Sequence, residues 1–194
     1  MPTPNSDPSR RLILASGSPR RRELLAEAGF EFGVVNPDVV EIAPAELSIT
    51  EVTTANATRK ALAVAQSFPR AVVLGADTLV ALDGEAIGKP ADLADAFATV
   101  KRLSGKEHQV CTSVCIKSED RRESFAVLSH VQFRSLSDAD IRAYFLKVNP
   151  LDKAGAYAAQ GHGTEIIRHI RGSYTNVVGL PMEETVDALR RFGF

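Results

Sequence analysis

The stretch Leu12-Ile13-Leu14-Ala15-Ser16-Gly17-Ser18-Pro19-Arg20-Arg21-Arg22 constrains the fold most. A short apolar run ends in Ser-Gly-Ser, then proline and three arginines lead into a helical pattern at Leu24, Leu25 and Ala28. This reads as strand, tight turn and helix start, with Ser18 as N-cap and Pro19 at the first helical position. Such a helix end presents free N–H groups, two hydroxyls and up to three guanidiniums in one place, a combination that suits phosphate. The plainer alternative is a capped helix with a solvated basic first turn. A helix dipole disfavours cations at its N-terminus, so three arginines there favour a bound anion.

The rest of the chain alternates strand and helix patterns. Residues 12–15 read as a strand, 19–28 as a helix, 30–35 as a second strand and 36–47 as a loop. Ser48-Ile49-Thr50-Glu51 forms a capping box that opens a helix over 49–67. Ala71 to Ala76 is a continuous apolar run, the pattern of a buried strand. Leu79 to Ile87 reads as a hairpin turning at Asp83-Gly84. A helix is expected over 92–103, stopped by Ser104-Gly105. Two alternating segments between His108 and Phe133 flank the polar turn 119–122, giving a long antiparallel hairpin. A further helix opens at Ser137, strand-like pieces follow at 154–158 and 165–170, and Pro181 begins the last helix. Long antiparallel strands combined with βα units predict an α/β fold with a mixed sheet.

A chain of 194 residues suits one domain, or one domain with two lobes. Its net charge of −1 gives no surface for coating a nucleic acid polymer. No apolar run approaches the roughly 20 residues needed to span a bilayer. Residues 1–10 are polar and Pro-rich, without the apolar core of a signal peptide, so a disordered tail and a cytoplasmic location are expected. Cys111 and Cys115 lie four apart in a strand pattern and are expected as buried thiols, not a disulfide. The cysteines and the four histidines show no zinc-ligand spacing. No nucleophile elbow or Cys–His pattern supports covalent catalysis.

Three more segments carry candidate chemistry. In Gly75-Ala76-Asp77-Thr78, Asp77 is expected directly after a buried strand, where ligands of α/β sheets usually bind; alternatively it starts a turn. Gly84 to Pro90 fails as a P-loop, because its glycines are one residue too close and Pro90 replaces the magnesium-binding hydroxyl, but Lys89 can still contact phosphate. In the segment from Leu151 to Gly161, small residues allow close approach, and Gln160 offers a donor and an acceptor together, as a base edge requires. Gly161-His162-Gly163 reads as a turn.

Taken in order, five strings resemble the Maf family of nucleoside triphosphate pyrophosphatases. They are Ala15-Ser16-Gly17-Ser18-Pro19-Arg20-Arg21, Gly75-Ala76-Asp77-Thr78, Gly88-Lys89-Pro90, Asp152 to Tyr157 with Gln160-Gly161, and Gly172 to Pro181. The resemblance implies an elongated α/β fold like that of inosine-triphosphate pyrophosphatases, spanning 11–194 as a single domain. It would have two lobes, a mixed sheet, a central cleft for the nucleotide and a possible homodimer. It implies water attack on the α-phosphorus of dTTP or UTP, giving the monophosphate and pyrophosphate, with house-cleaning of modified nucleotides as a possible role. Asp77, Glu41, Lys60 and Lys89 then match catalytic positions, Asp77 as proton acceptor. Ser16, Ser18 and Arg21 match the phosphate-binding turn. Glu41 and Asp77 are the expected ligands for a divalent cation, Mg2+ or Mn2+. The family's acidic loop often carries adjacent carboxylates; here Val40 precedes Glu41, and Asp38 is the nearest other acid. Three positions separate a pyrimidine branch (Arg, Thr, Gln) from a methylated-guanine branch (Trp, Gln, Glu), and this chain has Arg20, Thr78 and Gln160. The alternative functional class is a nucleotide-binding regulator of cell division with little turnover. An inosine-triphosphate-type enzyme fits the Ser-Pro-Arg-Arg string poorly.

Overall fold

The computed structural model describes residues 11–44 and 46–194. The expected tail over 1–10 lies outside them. The strands form one seven-stranded mixed sheet, and the described chain divides into two compact units. With helices accompanying that sheet, the α/β class read from the sequence is the one observed.

The first unit comprises described residues up to Asp77, Thr112–Ala126 and Gly179–Phe194. Its centre is β1 (Leu12–Ala15), an apolar strand buried along its whole length. Strand β2 (Phe32–Val35) and the first half of β3 (Val72–Leu82) flank it, both parallel to β1. Parallel neighbours need crossovers, and helices α1 (Pro19–Glu27) and α2 (Ile49–Ser67) provide them. Both helices start where their caps predict. The Ser18 hydroxyl accepts from the Arg21 N–H with proline in the first turn, and Ser48 and Glu51 cap each other reciprocally.

Helix α2 packs Ala57, Ala61 and Val64 against Ile13, Ala15 and Val73 of the sheet. The approach is tight at Gly75, where a Cβ would lie 2.5 Å from the Ala57 carbonyl oxygen and 2.7 Å from the Ala61 nitrogen. Only a residue without a side chain fits that crossing. Helix α7 (Met182–Arg191) closes the unit.

The second unit comprises Thr78–Cys111 and Val127–Val178. The second half of β3 turns back at Asp83-Gly84 into β4 (Glu85–Ile87), antiparallel to it. Both turn residues have positive φ, 54° and 83°, as the tight hairpin turn matching strand twist requires. Helix α3 (Leu93–Leu103), helix α4 (Asp138–Phe145) and parts of β5 (Glu107–Lys117) and β6 (Arg122–Phe133) follow. The core gathers Leu82, Val100, Leu103, Phe133, Ile141 and Tyr144. Strand β7 (Ile167–Arg171) pairs antiparallel with β6.

Three sequence expectations are corrected. Strand β3 does not end at Ala76 but runs unbroken from Val72 to Leu82, so Asp77 is a mid-strand residue. Its burial on β3 outweighs the low strand propensity of Gly, Ala and Asp. Residues 154–158 are not a strand: Ala154–Ala156 is a single 3-10 turn with Gly155 at φ 71° and Ala156 at φ 60°. Residues 165–170 divide between a short helix, α5 (Gly163–Ile166), and β7. Residues Tyr174–Val178, read from the sequence without a structural assignment, form helix α6.

Replacing Gly75 by alanine should lower stability by about 1–3 kcal/mol, because the new methyl meets backbone that cannot rotate away. Thermal denaturation of Gly75→Ala beside Gly88→Ala, whose Cβ would meet nothing within 4 Å, measures this against a permissive glycine.

Candidate active site

In the first unit, the turn after β1 and one face of α2 supply the chemistry. Strand β1 stops at Ala15, opposite Gly75. Strand β3 continues past it, so Asp77 emerges where its parallel neighbour has ended. The general rule that ligands bind at carboxyl ends of parallel strands still locates Asp77, although its own strand continues.

Helix α2 faces Asp77 with two side chains one turn apart, Asn56 and Lys60. The Lys60 ammonium donates to Asp77 Oδ1 at 2.6 Å and lies 2.7 Å from Glu41 Oε1. It is thus shared by two carboxylates. The Lys60 and Asp77 side chains are 9% and 7% exposed, whereas Glu41 is 51% exposed. One partner of the cluster is therefore sunk in protein and the other open to solvent. Asn56 donates from Nδ2 to Asp77 Oδ2 at 3.2 Å. Nothing in the sequence singled out Asn56; its only signal is the four-residue spacing to Lys60 on a buried helix face.

The turn Ser16-Gly17-Ser18 is ordered by its own hydroxyls. Ser16 Oγ accepts from the Ser18 N–H at 3.2 Å and from Arg21 Nη1 at 3.1 Å. Arg21 is buried and also donates from Nε to the Gly179 carbonyl at 2.8 Å. Burial lowers its pKa; the Asp77 and Glu41 carboxylates raise it and Arg20 lowers it, so all four charges feel one another. The three arginines are not one cluster: Arg21 is buried, Arg20 half-buried and Arg22 exposed. Helical geometry separates consecutive residues by about 100° and sends Arg22 away.

The second unit carries Thr78, Lys89 and Gln160. Thr78 is half-buried on β3 and Lys89 is exposed after β4. Gly155 donates its N–H to the Gly88 carbonyl at 3.0 Å, tying the 152–157 turn to the residue before Lys89. Aromatic side chains hold the segment that carries Gln160. The Tyr157 hydroxyl pairs with His108 Nε2 at 2.8 Å, and the Tyr144 hydroxyl accepts from the Ala158 N–H at 2.9 Å. Tyr174 donates to the Ala159 carbonyl at 3.4 Å. Gln160, half-buried, thus follows three residues in a row whose positions are fixed.

Residues 11–192 match the Maf-like protein family. The chain belongs to that family. This Maf-like chain is 44% identical over 183 residues to the dTTP/UTP pyrophosphatase of Akkermansia muciniphila, covering 94% of this chain and 97% of that protein. It is 46% identical over 185 residues to the protein of the same name from Symbiobacterium thermophilum, covering 95% of each. The Bacillus velezensis dTTP/UTP pyrophosphatase is 44% identical over 184 residues, covering 95% of this chain and 97% of that protein. Among solved structures, the Staphylococcus aureus Ham1 protein aligns with a TM-score of 0.49 and 17% identity, over 94% of this chain and 97% of that one.

The donor set of this Maf-like chain suits a hard cation. Glu41 and Asp77 bring carboxylate oxygens to the same ammonium, so both reach one region. Among the described residues no group of three or more His, Cys, Asp or Glu side chains forms a metal cage. Magnesium and manganese accept such sparse carboxylate sets, completing their shells with water and phosphate oxygens. Structural zinc, which takes four nitrogen or sulfur ligands, does not fit. No helix among the described residues is long and apolar enough to cross a membrane.

His108 makes a pH prediction. Burial lowers its pKa to about 4 from 6.5, so the folded chain keeps it neutral. Between pH 6.5 and 4 the unfolded chain binds a proton that the folded chain refuses, and stability falls as the pH drops through that window. The limit is about 3 kcal/mol. Urea unfolding at pH 7.5, 5.5 and 4.5 should show His108→Gln losing less stability on acidification than the wild type.

Proposed function

We propose that this chain is a nucleoside triphosphate pyrophosphatase that hydrolyses dTTP and UTP to the monophosphate and pyrophosphate. The observation that carries the reading is the Lys60 ammonium held between Asp77 and Glu41, in a chain 44% identical to a dTTP/UTP pyrophosphatase over nearly its full length.

The chemistry follows from charge. A nucleoside triphosphate carries about four negative charges, and cleavage at the α-phosphorus expels pyrophosphate, so charge builds on the leaving group. The water oxygen forms the new bond to the α-phosphorus, the bond to the bridging oxygen breaks, and Asp77 takes the proton. Lys60 and Asn56 fix the direction of the Asp77 carboxylate, and so the line along which it meets the water. The Ser16-Gly17-Ser18 turn, Arg20 and Arg21 are assigned to the phosphates through N–H, hydroxyl and guanidinium donors. Lys89 is assigned as a further counter-charge for the pyrophosphate. Magnesium or manganese held by Glu41 and Asp77 would supply neutralisation of the phosphate oxygens.

Base choice is assigned to Thr78 and Gln160 together with Arg20. The Gln160 amide can accept from N3–H and donate to a carbonyl of uracil or thymine at once, a pairing that a glutamate reverses in part. The protein is read as acting in the cytoplasm on free nucleotides, with no nucleic acid polymer and no membrane as partner, and a homodimer is a possible assembly.

Product analysis tests this with dTTP, UTP, CTP and 7-methyl-GTP, in magnesium or manganese. Monophosphate and pyrophosphate should appear from dTTP and UTP and fall at least about 100-fold in Asp77→Asn. Gln160→Glu should lower kcat/KM for both pyrimidines by roughly 10-fold or more. A strong preference for 7-methyl-GTP would contradict the base assignment, and nucleotide binding without turnover would contradict the reaction.

A further inference from the structure

Asn56 is buried, 3% exposed, in the middle of α2, and its side-chain amide makes three hydrogen bonds. Its Oδ1 accepts from the Ile42 N–H at 2.9 Å, and its Nδ2 donates to the Ile42 carbonyl at 2.9 Å. The same Nδ2 donates to Asp77 Oδ2 at 3.2 Å. The two amide hydrogens thus serve two different acceptors, while the amide oxygen holds the loop's N–H.

Ile42 follows Glu41 directly. The loop that carries Glu41 has no regular secondary structure, from Asn36 to Pro44. Such a segment needs partners for its backbone groups, and an asparagine amide can pair with both the N–H and the C=O of one residue as another strand would. Asn56 does this at the residue beside Glu41 and spends its remaining hydrogen on Asp77. Lys60, one turn further along α2, bridges the same two carboxylates by charge.

We infer that Asn56 is a positioning residue that fixes the Glu41 loop against Asp77 and so sets the distance between the two carboxylates. The inference rests on the reading of those carboxylates as the reacting pair. An aliphatic side chain fits the space but makes none of the three bonds. An aspartate keeps the bond from the Ile42 N–H and puts an oxygen where both acceptors need a hydrogen. Alanine thus removes all three bonds and aspartate two of them, loosening the Glu41 loop from Asp77, and displacement of a reacting group by about 1 Å costs on the order of 100-fold in rate.

The test uses Asn56→Ala and Asn56→Asp, with Thr53→Val as a control for loss of a buried polar contact on α2. The Thr53 hydroxyl pairs with that of Ser113 at 2.7 Å. Amide hydrogen exchange at Ile42, melting temperature, and kcat and KM for UTP are measured on each. Asn56→Ala should exchange the Ile42 amide at least about 10-fold faster, and both Asn56 variants should lose kcat by roughly 30- to 100-fold, with KM within about threefold. Thr53→Val should lose melting temperature comparably yet keep kcat and slow Ile42 exchange. Unchanged kcat in Asn56→Ala, or an equal kcat loss in Thr53→Val, overturns the inference. Glu41→Gln and Asp77→Asn are run in parallel. If these retain activity, the reading of the pair fails instead, while Ile42 exchange still reports whether Asn56 holds the loop.

Discussion

A lysine ammonium 2.6 Å from Asp77 and 2.7 Å from Glu41 has to be carried there by a helix lying very close to its sheet. Gly75 permits this. With no Cβ on β3, the Ala57 carbonyl and the Ala61 nitrogen come within 2.5 Å and 2.7 Å of where one would sit. Ala57 and Ala61 add no bulk of their own, and both are fully buried. The residues one position before each, Asn56 and Lys60, then reach Asp77 from the same helix. The approach thus links a backbone requirement to the placement of charge. Removing the Lys60 ammonium alone would take from the buried Asp77 the cation bonded to it, a loss that costs about 3–5 kcal/mol in comparable pairs.

The second unit fixes the segment before Gln160 by different means. The turn before Tyr157 has two consecutive residues of positive φ, and the left-handed conformation of Ala156 costs about 1–3 kcal/mol. Burial and hydroxyl bonds of the aromatic residues sustain that conformation. Tyr157 packs edge-on against Phe133 and His108, with ring centroids 4.8 Å and 5.4 Å away. Burial keeps His108 neutral and raises the Tyr157 pKa, so this pair stays a neutral hydrogen bond. His108 Nδ1 meets no hydrogen-bond partner among the described residues, a local cost the surrounding packing offsets.

What the sequence displayed were features carried by local chemistry. Ser18 with Pro19, and Ser48 with Glu51, announced helix starts that the structure has at those residues. The alternating segments around 119–122 announced β5 and β6, whose turn is closed by the Ser118 N–H on the Arg121 carbonyl. What escaped depended on tertiary contact. The continuation of β3 through Asp77 follows from burial, to which propensity is blind. The turn at 154–156 follows from two left-handed residues, one of them an alanine that no sequence rule places there. The division of Arg20, Arg21 and Arg22 into half-buried, buried and exposed needed the helix's orientation. Asn56 acts only through a loop fourteen residues earlier and a strand twenty-one residues later, and neither separation has a sequence signature.

The proposed reaction is attack at the α-phosphorus by a water that gives its proton to Asp77. Hydrolysis of UTP in water enriched in heavy oxygen, followed by mass spectrometry of both products, tests this most directly. The proposed reaction puts one heavy oxygen in the monophosphate and none in the pyrophosphate, and Asp77→Asn should form the labelled monophosphate far more slowly. Heavy oxygen in the pyrophosphate would place the attack on the β-phosphorus, and full turnover by Asp77→Asn would remove Asp77 from the reaction. Either result would contradict the account.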